Sequence, residues 1–335
     1  MKTIVRISII LFIALIAFGC SSDDNQIQPE DQTPSLNIPN DPAIPNASFS
    51  KRTNHTVTQF KGKLWLIGGF SEDGLQTDIY DSDNGVDWVY RDRDLQTPLD
   101  SHSTVVFNDT LWVLGGRSTI ASIGGLSNLM LGSVDGQNFT FDYTAPWSSR
   151  RLHTATVFNN KLWVLGGIDD NLGPLNNVWY TSNVSNWDVN SYSPANWSGR
   201  YGHTAIVFNN KLWVIGGYDG GGNGFLNDVW YTDGTTNSSG EIHWEFVEQL
   251  NEFPARYLHQ TVVLDNKIWL VGGRDSNGWK NDIWYTEDGA NWVSLIPNAN
   301  FPERGGHTLT VFNEKMYLIG GDDGSLLFND VWLFD

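Results

Sequence analysis

Apolar and polar positions along this chain follow one short pattern that returns six times. A histidine is followed by about six residues that alternate or run apolar, then by a short polar pair, then by a second apolar stretch ending in Gly-Gly, as in HTATVFNNKLWVLGG. Period-two alternation on both sides of a two-residue polar turn predicts a β-hairpin, whose strands we name a and b. After a loop of variable length comes a third strand, c, closing on an aromatic pair (NDVWYT at 227–232, NDIWYT at 281–286), then a tight turn and a fourth strand, d. Asp-Gly in that turn suits a two-residue hairpin, because both central residues accept positive φ. Trp88, Phe139, Trp187, Trp244 and Trp292 open strand d.

The Gly-Gly pairs begin at Gly68, Gly115, Gly166, Gly216, Gly272 and Gly320, spaced by 47, 51, 50, 56 and 48 residues. His55, His102, His153, His203, His259 and His307 each stand 13 residues before one of them. Arginine lies three residues before the histidine in five repeats (Arg52, Arg150, Arg200, Arg256, Arg304), and the second repeat has Leu99 there. Repeats of about 50 residues, each of four antiparallel strands, predict an all-β fold built as a propeller.

Arg-x-x-His, the apolar strand, Leu-Trp-Val-x-Gly-Gly, strand c and the tryptophan of strand d together resemble the kelch repeat, over roughly Ile44 to Asp335. The resemblance implies a six-bladed kelch-type β-propeller with four antiparallel strands per blade. The sixth repeat stops at Asp335 after strand c, while Ile44–Arg52 (IPNASFSKR) parallels Ile296–Arg304 (IPNANFPER), which leads out of strand d of repeat five. Residues around 36 to 45 are therefore expected to supply the missing outer strand and close the ring, which removes an open sheet edge. Pro39 and Pro42 keep that strand short, as an edge permits. The turns at 133–139 and 286–292 look like sialidase Asp-boxes one residue too short, and are read as hairpin turns.

Composition narrows the function classes. Sixteen Trp and 34 Gly fit turn-rich β structure, and the formal charge of −18 argues against nucleic acid as a partner, since phosphate binding needs a basic surface. Lys2 and Arg6, the apolar run Ile7–Phe18 and Gly19-Cys20 have the order of a secretory signal peptide. Residues 16–20 (IAFGC) resemble a bacterial lipobox, with Ala17 where leucine is usual, and Ser21-Ser22-Asp23-Asp24-Asn25 resembles the acidic tag of surface-exported Bacteroidetes lipoproteins. The expectation is a signal peptide over 1–19, lipidation at Cys20, a flexible tether with the closing strand over 20–43, and the propeller over 44–335. Such a protein is a monomeric outer-membrane lipoprotein displayed at the cell surface, with a periplasm-facing orientation as the alternative.

Strand alternation puts the a–b and c–d turns on one face and the b–c and d–a connections on the other, and the second face carries all the length variation. Specificity is expected there. The recurring Arg and His are read as structural, bonding a neighbouring repeat's carbonyls, and one histidine per repeat around a channel makes no tetrahedral metal site. Binding residues should be those that differ between repeats. Just after Gly-Gly stand Phe70, Arg117, Ile168, Tyr218, Arg274 and Asp322; two before His stand Thr53, Asp100, Arg151, Tyr201, Tyr257 and Gly305. Among them Arg117, Arg151 and Arg274 suit a carboxylate or sulfate through forked hydrogen bonds, and Tyr201, Tyr218, Tyr257 and Trp279 offer flat faces to sugar rings. Asp322 is the acidic candidate. No metal or cofactor is expected, and no P-loop, dinucleotide fingerprint, G-x-S-x-G or H-E-x-x-H occurs.

These features point to a surface lipoprotein that binds a glycan or protein without catalysis. Galactose oxidase chemistry is excluded, because in that kelch family it needs a cysteine cross-linked to tyrosine and the one cysteine here is Cys20. The six-kelch-blade sialic-acid mutarotase family implies an enzymatic alternative, an acidic-sugar mutarotase or epimerase, for which Asp322 or Asp219 with Arg117 or Arg274 would be the acid–base and cation pair. A third reading is a scaffold with no small ligand.

Overall fold

The computed structural model describes residues 36–335 apart from 94, 120–124, 186, 188–191 and 222–223. The expected signal peptide, Cys20 and the first part of the expected tether lie outside the described residues.

Within the described residues the chain is all β, and strands follow one another across each sheet in chain order. The first repeat pairs Thr56–Phe60, Lys63–Ile67, Ile79–Ser82 and Val89–Arg91 in that spatial order, all antiparallel. Repeats two to five build the same four-stranded sheet. The sixth has three strands, Thr308–Phe312, Lys315–Asp322 and Leu327–Phe334.

Local chemistry explains the a–b hairpins. The register Phe158↔Lys161 leaves two turn residues, Asn159 and Asn160, both at positive φ (50° and 56°), and asparagine accepts that conformation more readily than most residues. Asn209-Asn210 and Asp265-Asn266 repeat the solution.

Along the exposed edge of Leu327–Phe334, Ile44 N donates to Val331 O (3.1 Å) and Val331 N to Ile44 O (2.8 Å), while Asn37 N donates to Asp335 O (2.6 Å) and Ala47 N to Asn329 O (3.0 Å). Leu36 and Ile38 pack on the apolar cluster around Trp269 and Phe334. Only Ile44 forms a ladder bridge, as expected of a segment whose Pro39 and Pro42 have no amide hydrogen to donate.

The core consists of apolar seams between successive sheets rather than one central body. Trp65 of the first sheet packs with Leu111, Val113 and Leu131 of the second, and Trp269 of the fifth packs with Met316 and Leu318 of the sixth. Leu64 and Leu66 of the first sheet share a further seam with Phe312, Tyr317 and Ile319 of the sixth. The c–d turns seat on these seams: a Cβ added to Gly136 would lie 2.5 Å from the Trp65 ring, and one on Gly289 2.2 Å from Trp213. Glycine is the residue that lets the turn lie flat on the indole.

Candidate functional site

The residue before each repeat histidine has a left-handed backbone: Asn54, Ser101, Leu152, Gly202, Leu258 and Gly306, with φ between 53° and 60°. Their main chains bond one another in sequence. Ser101 N donates to Asn54 O, Leu152 N to Ser101 O, Gly202 N to Leu152 O, Leu258 N to Gly202 O and Gly306 N to Leu258 O, at 2.8 to 3.2 Å; Asn54 N then donates to Gly306 O at 2.7 Å. Two leucines at positive φ are strained conformations, held here because both backbone groups are satisfied.

Arginine and histidine divide the work of holding this face. Each repeat arginine is fully buried and bonds its own sheet, which corrects the expectation of a neighbour's carbonyls. Arg256 Nη1 donates to Gly272 O (2.9 Å), and its fork grips both oxygens of Asp282 (2.6 and 2.8 Å). Trp284 Nε1 donates to the same carboxylate at 2.8 Å. Arg52–Asp78, Arg200–Asp228 and Arg304–Asp330 repeat the clamp. The second repeat, with Leu99 for arginine, has Leu129 for the acid, so no buried charge is left there without a partner, while the third sets Arg150 against Asn177 Oδ1 at 2.6 Å. That matched change was the readable signal for the clamp. Histidine reaches the neighbouring sheet instead: His102 Nε2 lies 3.0 Å from Thr56 Oγ1, and His203 Nε2 3.2 Å from Thr154 Oγ1. Burial pushes all six histidines below their ordinary range, His102 to about 4 and His259 and His307 to about 3, so they are neutral.

The two sets of variable positions turn out to be cross-strand partners. Asp100 bridges Arg117, Arg151 bridges Ile168, Tyr201 bridges Tyr218, Tyr257 bridges Arg274, Gly305 bridges Asp322, and Thr53 pairs with Phe70. A third residue extends the row, Phe225 beside Tyr218 and Trp279 beside Arg274. Tyr201, Tyr218, Tyr257 and Phe225, the counterpart of Trp279 in its repeat, form one cluster, with centroids 5.1 to 6.2 Å apart and mostly edge-to-face. Trp279 continues it over the sixth repeat, where a Cβ on Gly305 would meet its ring at 2.4 Å and one on Gly324 its Nε1 at 2.7 Å. Arg274 is exposed and stacks on Trp279, 5.4 Å from the ring centroid. All four rings and the indole are half-buried, so each keeps part of a face toward solvent.

The three candidate arginines differ. Arg117 is engaged by the buried Asp100 through Nε (3.1 Å) and Nη2 (2.6 Å) and lies over Phe70, which leaves it poorly placed to grip an outside carboxylate. Neither Arg151 nor Arg274 has an ion-pair partner among the described residues, and Arg151 Nε is buried without an acceptor. Asp322 is half-buried, and burial raises its pKa against the opposing pull of the Thr53 hydroxyl and of Arg274. Burial, then the neighbouring Tyr257 and Tyr218, raise that of Tyr201. Among the described residues no group of three or more His, Cys, Asp or Glu has metal-holding geometry.

None of the eight candidates lines a cavity of about 240 Å³ that runs along the six inner strands from the ring of left-handed residues. The variable side chains form a rim outside it.

A model of the KLHDC2/KLHL20/DRC7 Kelch-repeats domain matches residues 152–335. Ras guanine nucleotide exchange factor F of Dictyostelium discoideum is 26% identical over 129 residues, 36% of this chain and 11% of that protein. Leucine-zipper-like transcriptional regulator 1 homolog of Drosophila melanogaster is 26% identical over 147 residues, 39% and 14%. Kelch repeat and BTB domain-containing protein 1 of camelpox virus is 27% identical over 139 residues, 40% and 24%. The matches thus span a quarter or less of these relatives. The solved structure of YjhT superposes with a TM-score of 0.67 at 14% identity, covering 87% of this chain and 96% of that one, a likeness of fold. With more than half of its length matched by that family model, the chain belongs to the Kelch-repeat domains of the KLHDC2/KLHL20/DRC7 group.

Proposed function

We propose that this protein is a surface-anchored six-bladed kelch propeller that binds a glycan through the rim of its b–c and d–a face. The ring reading is supported by the chain of main-chain bonds that returns from Gly306 to Asn54, and by the seam between the sixth and first sheets. In this reading residues 36–47 complete the outer edge of the last blade. Cys20 is the lipid attachment point, and the tether holds the propeller at the outer membrane.

The observation that carries the binding reading is the continuous arc of Tyr201, Tyr218, Phe225, Tyr257 and Trp279 flanked by Arg151 and Arg274. Half-exposed aromatic faces suit the apolar side of a sugar ring, and a stacked guanidinium is oriented before any ligand arrives. Screening against neutral and acidic glycans tests it. Binding that Arg274→Ala weakens tenfold or more, with unchanged melting, is the expected outcome; absence of glycan binding, with capture of a protein ligand on the same rim, would replace the glycan by a protein.

Asp322 favours a second reading, a sugar mutarotase or epimerase. A half-buried carboxyl that retains its proton to higher pH, near Thr53 and the Arg274 cation, suits proton transfer at a ring oxygen. Anomer exchange followed by NMR, abolished in Asp322→Asn, would establish it.

A further inference from the structure

The row of variable side chains does not end at Trp279. Its ring lies over Gly305, which bridges Asp322 within the sixth repeat. The Asp322 carboxyl accepts a hydrogen bond from the Thr53 hydroxyl of the first repeat, and a Cβ on Gly306 would lie 2.2 Å from that same hydroxyl oxygen. Thr53 in turn pairs with Phe70, and the Arg117 guanidinium of the second repeat stands 5.5 Å from the centre of the Phe70 ring. The aromatic arc of the fourth and fifth repeats is thus joined, through one carboxyl and one hydroxyl, to a second aromatic face on the first. The third repeat, with Ile168 paired to Pro174, carries no ring at these positions and interrupts the row.

The second face is held in place before any ligand arrives. Phe70 is 38% exposed, while its cross-strand partner Thr53 is short and buried, so the ring stands clear of its own strand pair. The buried Asp100 grips Arg117 through two nitrogens and fixes the guanidinium over that ring. Arg274 over Trp279, at 5.4 Å, is the same construction on the far side of the polar link. The two differ in charge. Arg117 is neutralised by Asp100, so the Phe70 face suits a neutral ring, whereas the exposed Arg274 leaves the Trp279 face open to an acidic one as well. Ring, hydroxyl and carboxyl, then ring again is the order a sugar chain presents, because apolar ring faces alternate with hydroxyl groups along it.

We propose that the rim binds an extended oligosaccharide rather than a single sugar. One unit stacks on Trp279, the next donates its hydroxyls to Asp322, which Thr53 orients, and a unit farther along stacks on Phe70. This rests on the glycan reading of the rim and names the size of its ligand. Two contacts on one chain reinforce each other through effective concentration, so affinity climbs once the chain reaches both faces.

Titration of the intact protein with galacturonate, chitin and maltose oligomers, each from monomer to hexamer, tests it. Affinity should rise at least tenfold between the shortest and the longest members of the series that binds. Phe70→Ala should remove that rise and leave the shortest members unaffected, Phe70→Tyr should keep it, and Trp279→Ala should weaken short and long chains alike. Unchanged melting of Phe70→Ala, expected for an exposed ring, separates lost binding from lost folding. Equal affinity for short and long chains, or a rise that Phe70→Ala leaves intact, would overturn the oligosaccharide and spare the glycan reading; no binding in any of the three series would sink both.

Discussion

Acid should unfold this protein far above the pH at which its carboxylates titrate. The six repeat histidines are buried and neutral, with values from well below the ordinary 6.5 up to about 4 for His102. Unfolding restores an ordinary imidazole, so between pH 6.5 and about 4 the unfolded chain binds up to six more protons than the native one. Stability is complete above pH 6.5 and is lost as pH falls toward the folded values. At pH 5 each unfolded histidine lies about 1.5 units below its pKa, worth about 2 kcal/mol at 1.36 kcal/mol per unit, or about 12 kcal/mol for the six. Total stabilities are about 5–15 kcal/mol, so the fold should reach its midpoint near pH 5. The lowered carboxylates Asp135, Asp169, Asp233 and Asp288 act in the same direction only below pH 4, leaving this window to histidine. Urea denaturation at pH 7, 6 and 5, with calorimetric proton uptake in two buffers, measures both quantities. A loss smaller than about 3 kcal/mol by pH 5, or uptake of fewer than three protons, would refute the assignment of neutral inter-sheet histidines.

Breaking one clamp should be costly and removing it whole less so. Arg256→Leu or Asp282→Leu alone is expected to lose about 3–5 kcal/mol in urea denaturation, and the double variant, which copies the Leu99/Leu129 arrangement, substantially less than the sum. A chain beginning at Pro45 loses the four main-chain bonds of Asn37 and Ile44, about 4 kcal/mol at about 1 kcal/mol each, and hydrogen exchange should rise along Leu327–Phe334 rather than in the third sheet. Trp269→Ala empties a seam and should cost about 3–5 kcal/mol, read from the denaturation midpoint. Gly305→Leu drives a side chain into the Trp279 ring, and glycan titration should show at least a tenfold weaker association with melting little changed.

Much of the architecture was legible because a repeat states the same physical problem six times. Period-two alternation around Asn-Asn or Asp-Asn turns specifies hairpins whatever surrounds them, and the Gly-Gly and His intervals fix where each unit begins. Leu99 and Leu129 even carried the clamp's logic, although a pairing 30 residues apart becomes evident only when Arg52 and Asp78 are seen in contact. The rim was harder. Arg117 and Arg274 occupy equivalent positions and read alike in sequence, yet Arg117 meets Asp100 across its row and Arg274 meets Tyr257 and Trp279.

What the sequence by itself determined is therefore whatever depends on neighbours close along the chain, strand order, turn type and unit length, but not the confinement of length variation to one face, since the c–d connection from Thr232 to Glu245 is longer than that from Ser133 to Phe139. Only the tertiary structure decided which charges are spent on partners, which rings gather into one arc, and that a cavity lies along the inner strands, outside the variable side chains. Those outcomes depend on contacts between different repeats, where the distance in space is a few ångströms and the separation along the chain is about 50 residues.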